Sequence, residues 1–168
     1  MSTRMALVGE GASARDEARA REARDIDILA RTIWGEARGE SVRGMEAVAA
    51  VILNRARIAE DRGGFWWGRG IAEICCKPFQ FSCWNANDPN RAKLLSVGSD
   101  DPHFAIAQRI ATRAVRGALA DPTKGADHYH ADGVTPDWAA GREGCVVIGR
   151  HVFYRLTPRR AGPAGGMA

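Results

Sequence analysis

A chain of 168 residues with 45% hydrophobic and 26% charged side chains suffices for one domain with its own core, with no obligatory staple of disulfides or metal. No apolar run approaches the roughly 20 residues of a membrane-spanning helix, which excludes an embedded channel or transporter, and collagen-like, coiled-coil and wholly disordered classes fit poorly. The 24 Lys and Arg against 20 Asp and Glu leave +4, too little to imply nucleic acid; it suits an anionic polymer and, equally, an ordinary solvated surface.

Residues 1–24 are rich in Ala, Arg and Glu without a large apolar stripe, and read as a solvated leader, partly helical or disordered. They lack the uninterrupted apolar stretch of a secretory signal peptide. The domain proper is expected over 25–156. Ile26, Leu29 and Ile33 follow helical spacing, which predicts a short helix from about Asp25 to Glu36. Gly35 and Gly39 punctuate the segment that follows. Ser41 is the expected N-cap of a second helix carrying Met45, Val48, Ala49, Ile52 and Ala56 as its buried stripe, ended by 61–64. Residues 65–100 are aromatic and rich in Gly, Pro and Asn, and predict loops with short helical turns. A third helix is expected after Asp101, with Pro102 in its first turn, running to about Ala120.

The period then changes. Residues 126–131 read as a short strand, and 145–148 and 151–154 flank Gly149-Arg150, which suits a type II′ hairpin. The predicted fold class is α+β, with helices first and a small antiparallel sheet last. The tail from Thr157 is Pro- and Gly-rich and is expected to be disordered through residue 168.

Glu36 is the leading candidate for chemistry. It follows Trp34 and Gly35 at the end of a helical pattern, and a carboxyl beside an indole is desolvated, which favours its protonated form. That is the state a general acid needs to protonate a glycosidic oxygen. Glu40 lies one helical turn on, with Arg38 between them as a partner for either; exposed helix-end charges are the plainer reading. His128 and His130 share a strand face and, with His151 and Cys75, Cys76, Cys83 and Cys145, could suggest zinc, but no HExxH or CxxC spacing is present. A buried or groove-lining histidine pair is the simpler account. Cys75 or Cys76 could close a loop with Cys83, or all could be free thiols. Phe79, Phe81 and Trp84 stand beside Gln80, Ser82 and Asn85 in KPFQFSCWN. Flat apolar rings next to amides and hydroxyls suit a sugar groove, and equally the second half of a core. Neither a GxSxG elbow nor a nucleotide-binding glycine motif occurs.

Taken in order, LARTIWGEARGE (29–40), GMEAVAAVILNRA (44–56), KPFQFSCWN (77–85) and VVIGRHVFYR (146–155) resemble the SleB/CwlJ-type cell wall hydrolases, over roughly residues 28–156. The resemblance implies a lysozyme-like or resuscitation-factor-like fold. It also implies peptidoglycan as the partner, cut between N-acetylmuramic acid and N-acetylglucosamine by a lytic transglycosylase. No cofactor or metal is implied. The family's catalytic glutamate matches Glu36. Glu40 would support the site, and Trp34, Asn54, Gln80, Phe81, Ser82, Tyr129 and Trp138 are candidate groove residues by similarity.

Spore-cortex relatives carry a signal peptide and often a wall-binding domain. Neither is evident here, and the QFSCW block is nearer to proteobacterial and phage versions. The expected role is therefore endolysin-like: synthesis in the cytoplasm, holin-dependent release or virion association, and action on the wall. Other readings are a water-using muramidase with Glu40, Asp132 or Asp137 as second carboxylate, a zinc peptidase or amidase built on His128 and His130, and a non-catalytic wall-binding module.

Overall fold

The computed structural model describes residues 3–158, with side chains from residue 13. Five α-helices precede the sheet: α1 (Thr3–Ala37), α2 (Val42–Asp61), α3 (Ile71–Cys76), α4 (Arg91–Ser96) and α5 (Pro102–Val115). The strands are β1 (His128–Ala131), β2 (Val146–Ile148) and β3 (His151–Tyr154). They form an antiparallel sheet in the order β1-β3-β2. The α+β class is as expected.

The expected break near residue 25 is absent: α1 is one helix of 35 residues. Ala, Arg and Glu are strong helix formers, so the composition that reads as solvated also propagates helix. The solvation reading holds where side chains are described, since 13–20 are exposed. The core begins at Leu29, with Ala30, Ile33, Trp34 and Ala37 continuing the buried face. An ion pair of 2.8 Å between Arg116 and Glu22 fastens the outer part of α1 to the end of α5.

Ser41 caps α2 as predicted, its hydroxyl accepting from the Gly44 N–H at 3.3 Å. The helix is buried on two faces rather than one. Met45, Val48, Ala49 and Ile52 enter the core shared with α1 and α5. Ala47 and Val51 instead meet Ala126, Ile148 and Phe153 of the sheet region in a second, smaller core. This central helix joins the two halves of the fold.

The third long helix ends at Val115, earlier than expected. Gly117 takes φ 73°, its N–H bonds to Ala114 O at 3.1 Å, and the Ala118 N–H bonds to Arg113 O at 2.7 Å. This pair of bonds is a Schellman terminus, which a glycine in the left-handed region permits. The β2–β3 hairpin turns on Gly149-Arg150, with Gly149 at φ 57° and Ile148 paired to His151. Arg150 stays outside the left-handed region, as a type II′ turn requires. β1 begins two residues later than expected. Thr157 and Pro158 are tied down, through Asp127 and Arg62 respectively, and the remainder of the expected tail lies outside the described residues.

Candidate active site

Glu36 lies in the last turn of α1, where Tyr129 and Cys83 meet its carboxylate. The Tyr129 hydroxyl, reaching across from β1, donates to Oε2 at 3.2 Å. Cys83 stands against the same carboxyl, and its thiol and main-chain N–H act on the Glu36 charge. Gly35 makes this possible. A Cβ there would stand 2.8 Å from Cys83 Cβ and 2.9 Å from its Sγ, so a side chain at 35 would push the 82–84 turn off the helix. The glycine of the motif is a close-approach residue, not a flexible one.

The electrostatics have a definite sign. Burial raises the Glu36 pKa, the Cys83 and Tyr129 hydrogen bonds pull it partly back, and the nearby charge of Asp88 adds to the rise. The net shift is upward from the ordinary carboxylate value. Burial and the neighbouring Glu36 charge also hold the Cys83 thiol and the Tyr129 phenol high, so both stay protonated and remain donors. A cleft of about 150 Å³ opens beside this cradle, lined by Gly35, Arg38, Ser82, Cys83, Asp88 and Asn90 among others.

Trp34 is 1% exposed, with its indole N–H on Asp101 Oδ1 at 3.2 Å. It lines the floor of the cleft, almost wholly covered by its neighbours. Arg38 pairs with neither glutamate. Its guanidinium lies 4.5 Å from the Trp34 ring centre and donates to Gly35 O at 3.3 Å.

Glu40 is bound to the sheet rather than to the partners of Glu36. Its Oε1 accepts from Arg150 Nε at 2.7 Å and its Oε2 from the Arg150 main-chain N–H at 3.2 Å. These bonds hold its carboxyl below the usual range, against a smaller opposing effect of burial. A Cβ on Gly149 would overlap this carboxylate. The second glutamate of the motif therefore latches the β2–β3 turn to the end of α1. The same hairpin carries His151, whose ring packs edge-on at 5.0 Å against Tyr129.

The remaining groove candidates divide. Ser82 is exposed on the cleft wall. Gln80 is partly exposed, with its amide oxygen taking a bond from Arg55 at 3.2 Å. Trp138 is half-buried against His128, His130 and Tyr154, at 5.3, 5.8 and 5.4 Å between ring centres. Two candidates leave the groove. Asn54 is 1% exposed and donates to Asp121 Oδ2 and Ala126 O, both at 2.9 Å, which fastens the 121–126 loop to α2. Phe81 is 2% exposed and lies under the Arg55 guanidinium, 5.4 Å from its ring centre.

The zinc reading finds no ligand set. His128 Nδ1 pairs with Asp127 at 2.8 Å, His130 Nε2 meets the Tyr154 hydroxyl at 3.0 Å, and no three possible ligands are gathered among the described residues. All four cysteines are free. Burial drives the Cys75 thiol up to about 12.

Three residues that sequence reasoning passed over matter here. Arg55 is 6% exposed and donates to Asp127 O at 2.7 Å while spanning to Gln80. Asp127 is fully buried and accepts from His128 and from the N–H groups of Leu156 and Thr157 at 2.8–2.9 Å. Asp88 is the carboxylate on the cleft wall. Asn54 and Arg55 had a legible signal: they continue the two buried faces 47/51 and 48/52 of α2, where a polar residue needs a partner. Asp88, in a loop, had none.

The profile of the cell wall hydrolase family matches residues 39–154 of this chain, beginning just after Glu36. The chain belongs to that family. The spore cortex-lytic enzyme of Halalkalibacterium halodurans is 31% identical over 132 residues, 77% of this chain and 34% of the relative. That of Bacillus subtilis is 30% identical, over 77% of this chain and 37% of the relative. The chain thus spans about a third of the length of these curated relatives. It corresponds instead to nearly the whole of two solved catalytic domains. The SleB catalytic domain of Bacillus cereus superposes with a TM-score of 0.60 at 28% identity, covering 79% of this chain and 91% of that one. The catalytic domain of the germination-specific lytic transglycosylase SleB of Bacillus anthracis gives 0.59 at 28%, covering 79% and 94%. This member of the family thus has the lysozyme-like SleB catalytic fold, with Glu36 and its donors at the junction of helix and sheet.

Proposed function

We propose that this chain cuts the glycan strand of peptidoglycan between N-acetylmuramic acid and N-acetylglucosamine as a lytic transglycosylase, with Glu36 as its one catalytic carboxyl. The observation that carries this is the Glu36 cradle: a half-buried carboxyl, raised in pKa, beside an open cleft. The similar catalytic domain from Bacillus anthracis is that of a lytic transglycosylase, which supports the same reading.

In this mechanism Glu36 begins protonated and gives its proton to the oxygen that leaves with the N-acetylglucosamine residue. The bond from muramyl C1 to that oxygen breaks, and positive charge spreads over C1 and the ring oxygen. The carboxylate left behind is stabilised by the Tyr129 hydroxyl and by the neighbouring Cys83, as fixed dipoles ready for the developing charge. It then takes the proton of the muramyl C6 hydroxyl, whose oxygen bonds to C1 and closes the 1,6-anhydro ring. Proton and electron pairs balance with one carboxyl and no second nucleophile. Glu40 is engaged by Arg150 and takes no part in bond making.

One observation favours a second reading. Asp88 lines the same cleft and lies close enough to raise the Glu36 pKa. It is the carboxylate that a water-using muramidase would employ. Digestion of purified sacculi in ¹⁸O water separates the two. Anhydro ends without ¹⁸O, and an Asp88→Asn variant that keeps most activity, support the single-glutamate mechanism. Reducing muramyl ends carrying ¹⁸O overturn it in favour of Asp88.

A further inference from the structure

The aromatic rings of the 77–85 segment have separate fates. Phe81 is buried in the core. Trp84 is partly buried, with its indole N–H on the Thr32 hydroxyl at 2.9 Å. Phe79 is 88% exposed and has φ 65°. The Gln80 N–H bonds to Lys77 O at 3.1 Å, across Pro78 and Phe79. Proline second and a positive φ third define a type II turn, and its third position normally takes Gly or Asn. A phenylalanine there is strained. In the free protein the ring returns nothing for that strain, because it is neither packed nor, being a hydrocarbon, hydrogen-bonded. The turn itself is braced, with the Phe79 N–H donating to Asn85 Oδ1 at 3.3 Å. It leads directly into Gln80, the exposed Ser82, and Cys83, which stands against Glu36.

We propose that Phe79 is a substrate-contact residue: a stacking platform for a sugar ring of the glycan strand, presented by a strained, braced turn on the approach to the Glu36 cleft. The inference rests on the peptidoglycan reading above. A pyranose offers a flat C–H face to an aromatic ring and hydroxyl or amide groups to neighbours such as Gln80 and Ser82. Strain kept at an exposed bulky residue by a braced turn motivates a functional role for its ring.

The test is Phe79→Gly, with Phe79→Trp as the conservative variant. Glycine removes the strain and the ring together, so the two consequences have opposite signs. Melting temperature is expected to rise by about 2–4 °C. The sacculus concentration giving half-maximal lysis is expected to rise roughly 3- to 10-fold, the worth of one aromatic stack. The same weakening is expected in sedimentation binding to sacculi when both chains also carry Glu36→Gln, which needs no turnover. Phe79→Trp restores wild-type half-saturation. If Phe79→Gly melts higher while half-saturation and binding stay within twofold of wild type, the platform is overturned and the peptidoglycan reading stands. If the parent chain neither cuts nor binds sacculi, both fall together.

Discussion

Removing the Tyr129 hydroxyl tests how the Glu36 pKa is set. In Tyr129→Phe the ring keeps its packing against Phe153 and His151, at 5.6 and 5.0 Å between ring centres, so the fold is expected to hold. The lost bond is 3.2 Å long, beyond the roughly 2.5–2.7 Å of a strong hydroxyl-to-carboxylate bond. It therefore belongs at the lower end of the range for charged acceptors, about 1.5 kcal/mol. The neutral acid loses about half as much, because a neutral bond is roughly half as strong. The difference, about 0.7 kcal/mol, favours the protonated form by about 0.5 pH unit. Glu36 must start protonated, so activity falls as pH rises through its pKa. The alkaline limb of kcat/KM for fragment release from sacculi should lie above the ordinary carboxylate range in wild type, and about half a unit higher in Tyr129→Phe. A limb that stays in place or moves down would refute the claim that this hydroxyl stabilises the Glu36 carboxylate.

Glu40→Ala should unlatch the hairpin turn rather than remove a reacting group. With one partner, Arg150, 74% exposed and free to solvate, the expected loss is about 1–2 kcal/mol of stability, a few degrees in Tm. Activity should fall but persist; total inactivation of a folded variant would return Glu40 to the reaction. Asp127 sets an acid limit. Burial raises its carboxyl, but the bonds from His128, Leu156 and Thr157 prevail and bring it to about 2, below the ordinary aspartate value of 3.8. A depressed pKa contributes stability that is present above about pH 4 and lost as pH falls towards 2, here about 2 kcal/mol. Denaturant unfolding across that window should lose this amount in wild type, and a flatter slope in Asp127→Asn would confirm the source.

Legibility varied with the kind of force involved. The α+β order, the Ser41 cap and the Gly149 hairpin were readable because each depends on a few adjacent residues. The length of α1 was missed because composition reports solvation, and a solvated Ala/Arg/Glu segment is also a good helix. The end of α5 was missed at Gly117, whose terminus signal lay within an apparently continuous alanine stripe. At the site, Glu36 stood out beside Trp34 and Gly35 and matched the family motif, whereas Tyr129 came from motif resemblance alone. Their contact could not be read, since 93 residues separate them and only β1–β3 pairing brings Tyr129 to the end of α1. Asn54 and Phe81 carried polar and aromatic chemistry suited to a groove but lie in the interior, Asn54 on the second buried face of α2 and Phe81 in the main core. Cys83 was legible only as a thiol with possible partners; that its partner is Glu36 follows from the absent side chain at Gly35.

The most direct measurement of the central claim is mass spectrometry of the fragments released from purified sacculi by the wild-type chain and by Glu36→Gln, with the fold of each confirmed by circular dichroism. One-glutamate transglycosylation requires 1,6-anhydromuramyl ends from the wild type and none from a folded Glu36→Gln. The same ends released by Glu36→Gln, or peptide fragments with intact glycan strands from the wild type, would contradict it.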